Sequence, residues 1–322
     1  MMQLNQRSME HFPIQLFAVV MGLSGFTIVF AKAYHLIDMP YWIYGALLLV
    51  DSILFLGIFI AYIFKWLLYP EAVQKEFAHP VKSAFSATIS ISFLLVSIAY
   101  YDFAPTISIL FWYIGTPLQL AFTLIIMRYW IRNEFKIVHS NPAWFIPIVG
   151  NVLVPVVGVA AAPMWVSLFF FALGLFFWLV LFTIMIYRIV FHQPLAKKLL
   201  PTLFILIAPP AVGFISYFRI SDGSLDIMSL LLYFIALFTL FLLLFMMRIF
   251  DTKEFFISWW AYTFPLAAIT IATLLMEMTF HSTLTYLGSV VLILLTFTVI
   301  GFVLFRTIQE CRAGKICIEE VE

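Results

Sequence analysis

Few side chains in this sequence can do acid–base, nucleophilic or metal chemistry, and their positions say more than their number. There are 16 acidic and 17 basic residues in 322. Almost all of them lie between long apolar stretches. Asp51 is the exception: it sits midway along one such stretch, where a carboxyl group is costly and is a functional candidate by default. Two roles are open for it, a neutral hydrogen bond between helices or a proton site for coupled transport. Cys311 and Cys317 lie near the C-terminus with no His beside them. That spacing matches no metal or redox motif, and both are expected to be reduced cytoplasmic thiols. His11, His79, His139 and His192 each precede an apolar stretch and read as interfacial loop residues. No His–Glu metal motif, no intramembrane His pair and no intramembrane acid pair is present, so no enzyme activity, metal or cofactor is expected. A net charge of +1 gives no reason to expect a nucleic-acid partner.

Small, hydroxylated and kinking residues recur in alternate apolar stretches, and theirs is the chemistry of passage. The segments are VVMGLSG (19–25), AFSATISIS (84–92), FIPIVGNVLVP (145–155), ILIAPPAVGF (205–214) and AYTFPLAAITIAT (261–273). The stretches between them are bulky, as in LFFFALGLFFWLVLF (168–182). Small residues let helix backbones approach closely, and hydroxyls and amides offer partial charges to a solute. Proline frees a carbonyl and bends the axis. A freed group is tolerated in a membrane where it is buried in protein or faces a wet cavity. The pattern predicts an inner ring of odd helices around a path and an outer ring facing lipid. Candidate lining residues are Gly22, Ser24, Ser86, Ser90, Gly150, Asn151, Pro210 and Thr263, with kinks at Pro147, Pro209 and Pro265. Pro117, in an even stretch, departs from the pattern.

The elements that must position these residues follow from composition. The chain is 65% hydrophobic and 10% charged, with a mean hydropathy of +1.10. Soluble domains carry about 25% charged residues, so this chain could not cover a water-facing surface. A helix needs about 20 apolar residues to cross a membrane core. Charges and turn residues divide the chain into ten such pieces, at 12–31, 41–64, 83–101, 105–127, 143–161, 164–187, 199–218, 227–247, 255–276 and 283–305. No Asp, Glu, Lys or Arg occurs from Ile137 to Tyr187, a stretch long enough for two spans with a break at Gly158–Pro163. Of the 17 basic residues, all but Lys32 and Arg219 fall on one side of this arrangement. The other side holds Asp38, Asp102, Asp222, Asp226 and Glu277. The bias places both termini in the cytoplasm and pairs the helices as five hairpins. The N-terminal MMQLNQRSME is polar and leads at once into an apolar stretch, which predicts a spanning helix and not a cleaved signal peptide. The expectation is an all-α membrane protein, one integral domain over 1–322 with a short cytoplasmic tail from about 306.

Several segments together resemble a known family. SWWAYTFPLAAITIAT (258–273) is similar to the ninth helix of the guard-cell slow-type anion channels and their bacterial TehA relatives, the tellurite-resistance/dicarboxylate transporter family. HFPIQLFAVVMGLSG (11–25), EFAHPVKSAF (76–85), NPAWFIPIVGN (141–151) and LIAPPAVGFISYF (206–218) match further landmarks in order. The resemblance implies ten helices in five hairpins, a pore inside each protomer of a homotrimer, and kinks at Pro147, Pro209 and Pro265. It also implies that one Phe of helix 9 plugs the pore, and the matching position is Phe264. The chain departs from the family at Ser90, where relatives can have a proline, and long soluble tails like those of the plant channels are not expected.

The expected function is therefore an anion channel for nitrate, chloride and similar ions, gated by Phe264. The alternative is a secondary transporter of dicarboxylates such as malate, or of sulfite, with Asp51 as its proton site. No odd segment carries Lys or Arg deep in the membrane, so selection should be weak and long-range, aided by Lys82, Lys136, Lys197 and Lys198 at the cytoplasmic edge. The expected partners are small anions and membrane lipid, and the expected site is the plasma membrane, in bacteria the inner one.

Overall fold

A computed structural model of the chain describes residues 9–34, 36, 40–80, 82–250 and 254–318. Arg7, Asp38 and Lys253, used above for the side assignment, lie outside them. The described residues contain no strand. Ten helices are long and apolar enough to span a membrane: α1 (Ile14–Ala33), α2 (Tyr41–Leu68), α3 (Lys82–Tyr100), α4 (Pro105–Arg132), α5 (Pro142–Ala161), α6 (Met164–Phe191), α7 (Lys197–Ile220), α8 (Ile227–Phe245), α9 (Ile257–Phe280) and α10 (Thr283–Arg312). With every backbone N–H satisfied inside its own segment, helices are the form such apolar stretches can take in lipid.

The expected boundaries hold at most ends but fall short at the C-terminal ends of four even helices. α2, α4, α6 and α10 run past their apolar stretches through Lys65, Arg132, Arg188 and Arg312. Lys and Arg are good helix formers, and a cation in the last turn meets the negative end of the helix dipole. Hydropathy marks where lipid stops, and the helix goes on until a turn residue ends it. A further short helix, Pro70–Ala78, occupies what the sequence suggested was a loop. Its start is a Pro in the first turn followed by Glu71, both favourable at a helix N-terminus.

Odd and even helices separate sharply by burial. In the apolar windows of α1, α3, α5, α7 and α9, 83–89% of residues are buried; in the even helices the share is 22–39%. The odd helices close a ring, α1 packing on α3, α3 on α5, α5 on α7, α7 on α9 and α9 on α1. Each even helix packs on the odd helix before it, completing five hairpins. Its outer face carries large apolar side chains such as Trp42, Trp165, Phe238 and Leu287.

The ring helices are irregular at the same end. α1, α5, α7 and α9 begin with 3₁₀ turns, at Ile14–Leu16, Pro142–Phe145, Lys197–Ile207 and Ile257–Tyr262. α3 is broken between Phe85 and Thr88. Pro147, Pro209 and Pro265 stand at these junctions, each within the first three residues of the regular α-helical part of its span. There Pro costs little, because the first turn of an α-helix has N–H groups without intrahelical partners in any case. The prolines therefore mark where narrow 3₁₀ winding gives way to α winding. Pro155, inside α5, is the deeper of that helix's prolines.

Candidate functional site

Two cavities lie along the inside of the five-helix ring. The larger holds about 580 Å³ of empty space, including its opening, and is walled by the first turns of all five odd helices. Gln15 and Met21 come from α1, Thr88 from α3, Val149 from α5, Ala208 from α7 and Trp260 from α9. The smaller, about 320 Å³, again draws on all five, with Ile28, Leu95, Val156, Ile215 and Ile271. Among the described residues, Phe264 alone lines both cavities. Its side chain is buried at 6% exposure, between the two spaces.

Chemically the walls are bland. Among the described residues, every side chain lining the smaller cavity is apolar, and neither lining contains Lys, Arg, His, Asp or Glu. The larger cavity lies towards the helix ends that carry most of the basic residues, among them the exposed Lys136, Lys197 and Lys198. Lys32 and Arg219, the two basic residues expected on the opposite side, sit together at the opposite end. Lys32 Nζ lies 2.6 Å from Asp102 Oδ2, and Arg219 donates to the Tyr101 hydroxyl at 2.8 Å.

The polar residues expected to face the path bond to neighbouring helices or to carbonyls of their own helix. Ser24 Oγ donates to Asp51 Oδ2 at 2.7 Å, tying α1 to α2. Asp51 is 1% exposed and its Oδ1 has no partner. Ser86 and Thr263 donate to the carbonyls of Ser83 and Trp260. Ser90 donates to Ala87 O and to Gln119 Oε1 on α4, the latter at 2.7 Å. Gln119 Nε2 donates in turn to Pro147 O at 2.8 Å, and Asn151 Nδ2 donates to the same carbonyl and to Thr123 Oγ1, both at 2.9 Å. This buried knot joins α3, α4 and α5. Asn151 Oδ1 is left without a partner. Pro265 borders the larger cavity, and Pro147, Pro209 and Pro210 line neither cavity.

Gly22 and Gly150 are places of close approach. A Cβ on Gly22 would lie 2.2 Å from Thr263 Oγ1, so α1 and α9 touch there only because Gly22 has no side chain. A Cβ on Gly150 would fall 2.3 Å from Gln119 Oε1. Thus Gly22 fixes the distance between α1 and the residue next to Phe264.

Beside the start of α1 a charged cluster pins the chain just before its first turn. Lys65 Nζ is 2.8 Å from Glu76 Oε1 and also donates to Phe12 O at 2.8 Å; the Tyr62 hydroxyl donates to Glu76 Oε2 at 2.9 Å. Both charges are nearly buried, and they are paired and hydrogen-bonded, as burial demands. Sequence reasoning passed over this cluster, Gln119 and Gln15. The signal for the two glutamines was a carboxamide inside an otherwise apolar span. No group of three or more His, Cys, Asp or Glu is placed to hold a metal among the described residues.

Comparison with known proteins adds to this geometry. A family model described as voltage-dependent anion channel (SLAC1) matches residues 11–308. S-type anion channel SLAH2 of Arabidopsis thaliana is 33% identical over 274 residues, 82% of this chain and 52% of its own length. An uncharacterized transporter of Methanocaldococcus jannaschii is 26% identical over 341 residues, covering 98% of this chain and 99% of its own. The tellurite resistance protein TehA homolog of Haemophilus influenzae is 23% identical over 309 residues, 95% of this chain and 93% of its own. The chain spans about half the length of the SLAH2 and SLAH3 relatives it matches.

Proposed function

The chain belongs to the voltage-dependent anion channel family, and from that premise we propose that it conducts small anions such as nitrate and chloride along the axis of its five-helix ring, with the Phe264 ring as gate. It is an integral, multi-pass membrane protein. One observation supports the reading: among the described residues, Phe264 alone lines both cavities inside the ring. A phenyl group in an apolar sleeve stops an ion twice over, by filling the space and by leaving nothing to replace the ion's water. The walls hold no fixed cation, so an anion that enters is not trapped. The basic residues at that end of the helices raise the local anion concentration instead.

The basic end is proposed to face the cytoplasm, in the plasma membrane or its bacterial equivalent, with the protomers assembled as a homotrimer whose pores stay separate. The whole span 1–322 then forms one membrane domain. A carrier for malate or sulfite would need a cationic side chain in the path to hold a doubly charged solute, and neither cavity wall supplies one. The experiment is reconstitution of the full chain and Phe264→Ala in planar bilayers. The expected result is a larger anion current in the variant, and an unchanged current in a well-folded variant contradicts the gate.

A further inference from the structure

Four polar side chains border the larger cavity: Gln15, Thr88, Ser258 and Trp260. Three of them are committed elsewhere. The Thr88 hydroxyl donates to Phe85 O at 2.5 Å, the Ser258 hydroxyl to Lys198 O at 2.5 Å, and the Trp260 indole N–H to Thr307 Oγ1 at 3.0 Å. Gln15 differs. It is 8% exposed, its Oε1 is buried without a partner, and no hydrogen bond to its carboxamide is found among the described residues.

A carboxamide held in an apolar wall with its bonds unmade is unfavourable unless something in the cavity completes them. We infer that Gln15 is a hydrogen-bonding site for the passing anion in the cavity on the basic side of Phe264, taking a small inorganic anion together with part of its water shell. This rests on the channel reading above and adds the residue that tunes its selectivity.

The amide end of the side chain suits that ligand: its NH₂ group offers two donors, which an anion accepts. The cavity otherwise has only committed donors, so Gln15 alone offsets part of the dehydration an anion undergoes before the apolar passage at Phe264. The gain is larger for chloride than for nitrate, because chloride holds its water more tightly. A neutral amide also binds weakly, which lets the ion leave. The 3₁₀ turn Ile14–Leu16, at the start of α1, sets Gln15 on the wall, and the Lys65 bond to Phe12 O fixes the chain just before that turn.

Two measurements on the full chain test this. In the first, Gln15→Leu and Gln15→Glu are each placed in the Phe264→Ala background, and bilayer currents are recorded with nitrate on one side and chloride on the other. Gln15→Leu is expected to raise the nitrate-to-chloride permeability ratio about threefold, the size of one modest hydrogen bond. Gln15→Glu is expected to cut conductance about tenfold or more, since a carboxylate repels the ion in a poorly solvated wall. A residue that only packs would give Leu and Glu variants with the parent's ratio.

The second measurement does not depend on conduction. Crystals of the wild-type chain and of Gln15→Leu are soaked in bromide and anomalous peaks are compared. The expected result is a bromide within about 3.5 Å of the Gln15 amide in the wild type and none there in the variant. A wild type without that bromide, or a Gln15→Leu channel with its parent's ratio and conductance, overturns the inference. Absence of any current from Phe264→Ala would overturn the channel reading instead, and the bromide result would still decide Gln15.

Discussion

Replacing Phe264 by Ala should open the channel, and its size can be worked from the structure. For an ion to pass, the ring must leave its position between the two cavities. That forfeits the burial of a Phe side chain, about 1.5–3 kcal/mol. It also forces the side chain off its rotamer for about 0.5–1.5 kcal/mol. A barrier term of about 2–4.5 kcal/mol corresponds to about 30- to 2,000-fold in rate, and Ala removes it. The assay is macroscopic anion current in planar bilayers at matched protein load, with thermal melting in detergent alongside. Melting separates a gate from a core residue. Phe→Ala in a packed core costs about 3–5 kcal/mol, but a ring with space on both sides gives up fewer contacts, and a loss under about 2 kcal/mol is expected. A current within about threefold of wild type, which at under 1 kcal/mol is too small for the barrier above, would refute the reasoning, as would a core-sized loss of stability.

Other perturbations follow from the same geometry. Gly22→Ala, which drives a Cβ into Thr263, should lower stability by about 1–3 kcal/mol in detergent melts, whereas Gly57→Ala, with nothing within 4 Å, should not. Asp51→Asn should keep current and expression, because the Asn oxygen still accepts from Ser24; a current that loses its response to a pH gradient in this variant would instead make Asp51 a proton site. Asp226, between α7 and α8, accepts hydrogen bonds from the Tyr217 hydroxyl and the Ser229 N–H, and these hold its carboxyl below the usual carboxylate range. A lowered folded-state value stabilises above the unfolded one and is lost as pH falls, so the Tm gap between wild type and Asp226→Ala should be present near neutral pH and close below about pH 4.

Much of the architecture was legible in the sequence because lipid is a severe solvent. Ten apolar stretches admit little but ten helices, and the contrast between GLSG-type and Phe/Leu-rich stretches anticipated the ring and its jacket. Ends were less legible, since α2 and α6 continue through Lys65 and Arg188 beyond the reach of hydropathy. The 3₁₀ starts left no mark, because both windings of a fully buried segment satisfy the same apolar pattern. Side-chain direction was hidden for a related reason. In helices buried all round, periodicity does not distinguish the cavity from a neighbouring helix. Ser24, Ser90 and Asn151, expected along the path, instead bond across or along helices, as polar groups in spanning segments commonly do. Phe264 is one of 37 phenylalanines, and only resemblance singled it out. Gln15 went unnoticed because one amide near a span's edge looks like a border residue until its neighbours are seen to be taken.

The most direct test of an axial anion path is cysteine accessibility in the Phe264→Ala background, with Cys311→Ser and Cys317→Ser removing the native thiols. Val156→Cys lies on the smaller cavity, and Phe238→Cys on the outer face of α8. An anionic, membrane-impermeant thiol reagent should block current through the Val156→Cys channel and leave the Phe238→Cys channel conducting. Block at Phe238→Cys with none at Val156→Cys would place the route outside the ring and contradict the account.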